Sequence, residues 1–398
     1  MQQKGWILAA AALALAGLAP LLPAGDAPKA EPNRDLDALA AKLVTQSARV
    51  AEGEKVVING DPKDAEVLED LAVQVRKQGA FPLITLSSDR LARRLYDDVP
   101  AKYDTQPLEW DLKMAGLMDV EFFVESGDEA ALSGVPAERV AAQEKMNQPV
   151  FALMRQRNVR LINLGNGLYP TPSRAKQFGI SEAELAKLFW DGVNVDYAQL
   201  QAAGAKLKKT ISEGKEIRLT NANGTDLKAT IEKRPVLVSD GVISDAKRKE
   251  GGAACWTYLP AGEVYVSTTA GSAEGRVVVD RTLYKGKEIH DLILGVKEGK
   301  VVSMAAKANA DELLADFKAA GEGKDRCGVI DVGVNPNVRP PAGSKVQTYM
   351  QAGMVSLSIG NDTWAGGDDN TPFGLGCFLP GGTLAVDGTV IVEKGELK

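Results

Sequence analysis

The chain has 398 residues, 44% of them hydrophobic and 25% charged, with a formal net charge of −6. This is ordinary globular composition, and so mild a negative charge gives no footprint for nucleic acid or an anionic membrane. A single histidine, His290, excludes any multi-histidine zinc site and limits Ser-His or Cys-His catalysis to that one residue.

The elements follow in chain order. Lys4 precedes an apolar run from Trp6 to Leu22, followed by small residues at Ala24, Gly25 and Ala27 and a polar, Pro-rich stretch. That order is a secretory signal over residues 1–27. The competing reading, a retained anchor, is disfavoured because the run falls short of roughly 20 residues and Pro20 and Pro23 break its end. The expectation is an exported protein, periplasmic or secreted, with no stable membrane span after cleavage. Asp35 to Val50 reads as an amphipathic helix. Lys55 to Gly60 is a buried strand, Ala65 to Gln78 a helix, and Phe81 to Leu86 a strand before a helix capped at Ser88 or Asp89. Val120 to Glu125 and Val159 to Leu164 repeat the strand pattern with helices between them. Helices over Ser181–Trp190 and Val195–Ile211 close the unit. Alternating strands and helices predict an α/β domain with a parallel sheet over residues 35–210.

From Gly214 the pattern becomes strand-rich and Gly-punctuated. Strands are expected over Glu216–Thr220, Asp226–Ile231, Gly262–Ser267, Gly275–Asp280, Asp291–Lys297, Lys300–Met304 and Ala352–Ile359, with one helix near Ala310–Ala319; Val386–Val392 closes the set, with an Asp387-Gly388 turn inside it. Residues 211–398 are therefore expected to form an α+β domain with an antiparallel sheet. Cys255, Cys327 and Cys377 allow at most one intramolecular bridge and are not spaced as a zinc knuckle. All three also fit as buried small hydrophobes. No phosphate-binding Gly-Lys-Ser/Thr loop, nucleophile elbow or basic aromatic patch occurs, and Gly165-Asn-Gly167 reads as a turn.

The second half carries a set of ordered motifs: Thr225-Asp-Leu227, Leu259-Pro-Ala-Gly-Glu-Val-Tyr265, Ala273-Glu-Gly275, Cys327-Gly-Val-Ile-Asp-Val-Gly-Val-Asn-Pro336 and Gly353-Met-Val-Ser-Leu-Ser-Ile-Gly-Asn361. With Tyr169-Pro-Thr171 and Val195-Asp196 in the first half, they resemble the thermophilic metalloprotease family of aminopeptidase T. The resemblance implies a two-domain fold, a homodimer, and metal-dependent hydrolysis of N-terminal peptide bonds. In that family two divalent cations are held by two glutamates, histidines, a tyrosine and an aspartate, and they activate a shared water. Glu263 matches the first glutamate, and Asp331 stands at the second, one methylene shorter. Ser356 stands at the first histidine position, Thr363 at the tyrosine, and Gly374 and Gly376 near the later His-x-Asp pair. A ring-cleaving branch of the same fold uses non-haem iron in a histidine-rich site, and the same missing residues argue against it here.

One local feature offers replacement ligands. The loop Gly360-Asn-Asp-Thr-Trp-Ala-Gly-Gly-Asp-Asp-Asn-Thr371 places Asp362, Asp368 and Asp369 just after the strand where the family ligands begin. Such oxygen ligands suit Ca²⁺, Mg²⁺ or Mn²⁺ better than Zn²⁺. An ordinary solvated Asx-turn loop explains the same residues, and Trp364 either lids a pocket or anchors the loop. Two functions follow: an aminopeptidase-like hydrolase with an altered Glu263, Asp331 and loop-acid site for a divalent metal (Mn, Mg, Ca or Zn), or a catalytically degenerate binding protein for a peptide or small molecule. In the first, Glu263 and Asp331 converge with at least one loop acid, with Asp362 the expected nearest.

Overall fold

A computed structural model describes residues 36–398, and the expected signal segment lies outside the described residues. Leu36–Lys398 form one compact unit built on three sheets.

The first sheet is parallel, as the alternating pattern predicts. In spatial order its strands are Phe81–Leu86, Lys55–Gly60, Val120–Val124, Arg160–Leu164 and Trp256–Leu259. The last strand comes from beyond residue 210, so the expected domain boundary is crossed once. Periodicity gave no sign of it, because Trp256–Leu259 is only four residues long. Alternation along these strands separates two faces. Ile58, Phe122, Val124, Ile162 and Leu164 are buried in the main hydrophobic core. The opposite face carries a mixed row, Asn59–Phe123–Asn163–Tyr258, whose members stand opposite one another across four strands. Beside it runs a second row, Glu121–Leu161–Trp256.

An eight-stranded antiparallel sheet includes Glu216–Thr220, Asp226–Thr230 and the long hairpin Glu274–Tyr284 and Lys287–Lys297. The segment Val386 to Val392, expected to hold an Asp387-Gly388 turn, belongs to a hairpin, Thr383–Val386 and Thr389–Glu393, that turns at those two residues. Asp387 adopts φ 46° and Gly388 φ 83°, the conformations such a two-residue turn requires. His290 lies in the long hairpin, its side chain 44% exposed and 3.1 Å from Glu288, as a surface histidine would.

The third sheet positions the site. Its strands run, in order, Gly374–Phe378, Val355–Gly360, Cys327–Gly333, Glu263–Ser267 and Val236–Ser239. The three central strands are buried at every position. One face, with Val264, Val266, Ile330, Val332, Leu357 and Ile359, joins the main core. The other carries the polar residues discussed below. All three cysteines are buried and free.

A buried arginine ties the parallel sheet to the chain's first helical segment. Arg160, only 2% exposed, donates to the carbonyls of Ala48 and Arg49 and pairs with Glu54 at 2.5 Å. Removing one partner of a buried pair costs about 3–5 kcal/mol when the other is left uncompensated; here Arg248, 3.9 Å from Glu54, and the Ala51 N–H offset part of that cost. Arg160→Met is expected to lower unfolding free energy by no more than about 3–5 kcal/mol in urea denaturation. A loss under about 1 kcal/mol would show the pair to be dispensable.

Candidate active-site pocket

Glu263 and Asp331 come together by strand register. Gly333 stands opposite Glu263 and Asp331 opposite Tyr265, so the two acids are diagonal neighbours on one face. Such positions lie roughly 7–8 Å apart at the backbone, within reach of side-chain rotation. Asp331 also stands opposite Ser356, and Ser358 opposite Gly376. Both acids are 3% exposed. Glu263 is delivered by the turn from Leu259, in which Gly262 adopts φ 125° and a Cβ would meet Asn335 at 2.6 Å. Only glycine fits there.

The electrostatics of the pair are those of buried like charges without a cation. Burial pushes the Glu263 carboxyl up to about 8, against the opposing effect of a hydrogen bond from Asn166 Nδ2 at 3.1 Å. Burial first, and the Glu263 charge second, push Asp331 upward as well. Asp331 Oδ1 and Ser356 Oγ have no hydrogen-bond partner. Burial and mutual repulsion thus both favour the protonated form of the pair over two ionised carboxylates.

The pair opens on a cavity of about 320 Å³, bordered by Asn166, Tyr258, Tyr349, Ser358, Asn361 and Trp364. Asn166 rides the turn after the Arg160–Leu164 strand, at the carboxyl end where parallel sheets place ligand sites. Glu125 fixes that turn, accepting from Asn163 Nδ2 at 2.9 Å and from the Gly167 N–H at 3.1 Å. Sequence reading took Gly165-Asn-Gly167 only as a turn, and the missed signal was its place just after a buried parallel strand. Tyr349 was missed because it belongs to no regular element.

Among the described residues the loop acids do not cluster with the pair, and they take other partners. Asp362 is fully buried but faces Arg326, with Nε to Oδ2 at 3.7 Å, and it accepts from the Asp369 N–H at 2.8 Å. Asp369 pairs with the same guanidinium at 3.0 Å. Asp368 has a side chain 93% exposed, 3.7 Å from Arg234. Arg326 was the unseen competitor: an adjacent strand brings it to the loop from 36 positions away. Asn361 closes an Asx turn on Thr363 and donates to the Thr371 carbonyl. Trp364 fills both roles weighed for it. Its Nε1 donates to the Asn361 carbonyl at 3.0 Å, and its ring lies against Tyr265 and lines the cavity.

The remaining family positions are physically accounted for. A Cβ at Gly376 would lie 2.1 Å from the Tyr349 hydroxyl, so that tyrosine occupies the room of a side chain there. A Cβ at Gly374 would meet nothing within 4 Å, which leaves open space. Among the described residues no three His, Cys, Asp or Glu side chains cluster so as to hold a metal ion.

A short parallel sheet, two antiparallel sheets and an acid pair buried on two adjacent central strands of the third make up the fold and its pocket. The sequence pattern of the thermophilic metalloprotease family (M29) matches residues 32–333, and the chain belongs to that family. Its fold is similar to that of wild-type AmpT from Thermus thermophilus, at 16% identity and a TM-score of 0.69, covering 91% of this chain and 98% of that one. It is also similar to 2,5-dihydroxypyridine dioxygenase from Pseudomonas putida KT2440, at 13% identity and a TM-score of 0.58, covering 91% and 96%. No curated protein matches. The family implies a divalent metal. The donors in this chain do not fit a paired-cation centre, since two carboxylates with serine, asparagine and tyrosine neighbours are too few anionic ligands for two divalent ions.

The raised acid pair makes stability depend on pH. Between the ordinary carboxylate range and the raised folded values, the folded state holds more protons than the unfolded chain. Stability contributed by the protonated pair is full at low pH and is lost as pH rises toward about 8. Glu263→Gln is expected to stabilise chelator-treated protein at pH 8 and to have little effect at pH 5, read as the melting-temperature difference from wild type. A difference of equal size at both pH values would refute the protonated-pair reading.

Proposed function

We propose that this chain is an exported, ligand-binding member of the aminopeptidase T-like family, whose pocket takes the free α-ammonium group of a peptide without cleaving it by the paired-metal route. The observation that supports it is the acid pair itself, buried, unneutralised and with one carboxylate oxygen unpartnered at the base of an open cavity. A primary ammonium brings one positive charge and three donors, which match two carboxyls and the Ser356 hydroxyl beside them. Tyr258 and Trp364 add aromatic faces suited to a cation. Binding then displaces the pair's proton and replaces like-charge repulsion with ion pairing. Export rests on the Trp6–Leu22 segment, and homodimer assembly remains a proposal from the family resemblance.

A second reading is favoured by one detail. Asp331 Oδ1 and Ser356 Oγ both lack partners, and two carboxylates with hydroxyl oxygens are donors of the kind that hold one hard divalent cation. Under that reading the chain keeps a metal-dependent aminopeptidase-like activity.

Calorimetry on chelator-treated protein separates the two. Leucine amide is expected to bind with release of a proton, seen as a heat that depends on the buffer's ionisation enthalpy. Asp331→Asn should weaken it about 10- to 100-fold, the range for a lost hydrogen bond to a charged group. N-acetyl-leucine amide should not bind. Equal binding of the acetylated form would sink the proposal. So would turnover of an aminoacyl anilide with Mn²⁺, Mg²⁺, Ca²⁺ or Zn²⁺ that disappears in Glu263→Ala.

A further inference from the structure

A second cavity, of about 530 Å³, adjoins the acid pocket and shares Tyr258, Asn361, Trp364 and Gly374 with it. Its floor is the mixed face of the parallel sheet, and the helix Ala137–Gln156 forms one wall. From the last turn of that helix Arg155 lines the cavity, half-buried. Its guanidinium lies over the Trp256 ring, 5.6 Å from the centroid, and Phe151 meets the same ring edge-on at 6.2 Å.

Arg155 differs from the other cations near these cavities. Lys285 pairs with Asp316 at 2.6 Å, Lys345 with Glu288 at 2.7 Å, and Arg326 with Asp369 at 3.0 Å. No carboxylate pairs with Arg155 among the described residues, although burial costs its charged form and pulls it downward. Tyr258 lies between the two charged ends. Its phenol is pushed upward chiefly by burial and then by the Glu263 charge, and Arg155 opposes that rise. An acid pair without a cation and a guanidinium without an anion therefore flank one tyrosine in adjoining cavities.

We infer that the two cavities form one site for a short, unblocked peptide, with its ammonium at Glu263 and Asp331 and its terminal carboxylate on Arg155. This rests on the ammonium reading above and adds the far end of the ligand. A planar guanidinium matches a carboxylate with two parallel N–H donors. Its contact with the Trp256 ring restricts the side chain and spares part of the entropy of fixing it. The aromatic rings between the ends would cover the peptide's side chains and leave both termini as the charged anchors.

The test uses the full exported chain and three peptide pools: unblocked tripeptides, the same tripeptides as C-terminal amides, and the same tripeptides N-acetylated. Thermal shift and calorimetry read the binding. The unblocked pool is expected to bind, and both blocked pools to bind about 10- to 100-fold more weakly. In Arg155→Met the unblocked and amidated pools should bind alike, while N-acetylation still weakens binding. Arg155→Lys should restore part of the discrimination, which a merely structural arginine would not. If amidation has no effect on wild type while acetylation does, the carboxylate clamp is overturned and the ammonium site stands. If amidation matters and acetylation does not, the ammonium site fails. Binding of none of the pools overturns both.

Discussion

Two acids held side by side in a buried sheet, with no protein cation to balance them, are the constraint around which the site is organised. The repulsion could be relieved by an ion pair, by protonation or by a ligand. Among the described residues no lysine or arginine pairs with Glu263 or Asp331; the Asn166 amide donates to Glu263, and the Val332 N–H acts on Asp331. Burial raises both carboxyls and so favours protonation in the isolated protein. A cationic ligand is the remaining relief, and the cavity gives it access. The sheet tolerates the arrangement because its other face is continuous with the main core, so the polar face need not contribute to hydrophobic stability.

The surrounding residues keep that pocket open and uncrosslinked. Arg326 gathers Asp362 and Asp369 away from the pair and closes the Gly-rich loop as a structural unit. Trp364 is carried by that loop to the border of both cavities. Glu125 holds the turn that aims Asn166 at Glu263. Each of these carboxylates is engaged on a partner of its own or, for Asp362 and Asp369, on a shared guanidinium, and so none of them crosslinks the acid pair.

How much of this was legible depends on range. The parallel strands, their helices and the long hairpin were readable from local periodicity, because each has one face in the core and turn residues at its ends. Glu263 and Asp331 were found through resemblance, and register then brought them together. The strand Trp256–Leu259 was not readable, since four residues carry too little pattern, yet it joins the two halves. The partners of the loop acids were not readable, because Arg326, which faces Asp362 and Asp369, lies just before the strand Cys327–Gly333, and charge counting within a loop cannot see it. Asn166, Tyr349 and Arg155 gave no local signal: a turn, an irregular segment and a helix end look ordinary until the sheets bring them to one place. Glu121 shows the same limit. It reads as a strand residue, yet it lines the larger cavity, and burial with the nearby Asp111 pushes its carboxyl up to about 7.

The two glycines of the Gly374–Phe378 strand differ in what a side chain there would meet. At Gly374 a Cβ meets nothing within 4 Å, so a bulkier residue fits without any neighbour moving. At Gly376 a Cβ would lie 2.1 Å from the Tyr349 hydroxyl, the far end of a rotatable side chain. A residue larger than glycine at 376 would therefore turn the phenol aside rather than be refused. Because Tyr349 borders the acid pocket, such a change would alter the shape of the pocket mouth from a position that carries no charge or donor of its own.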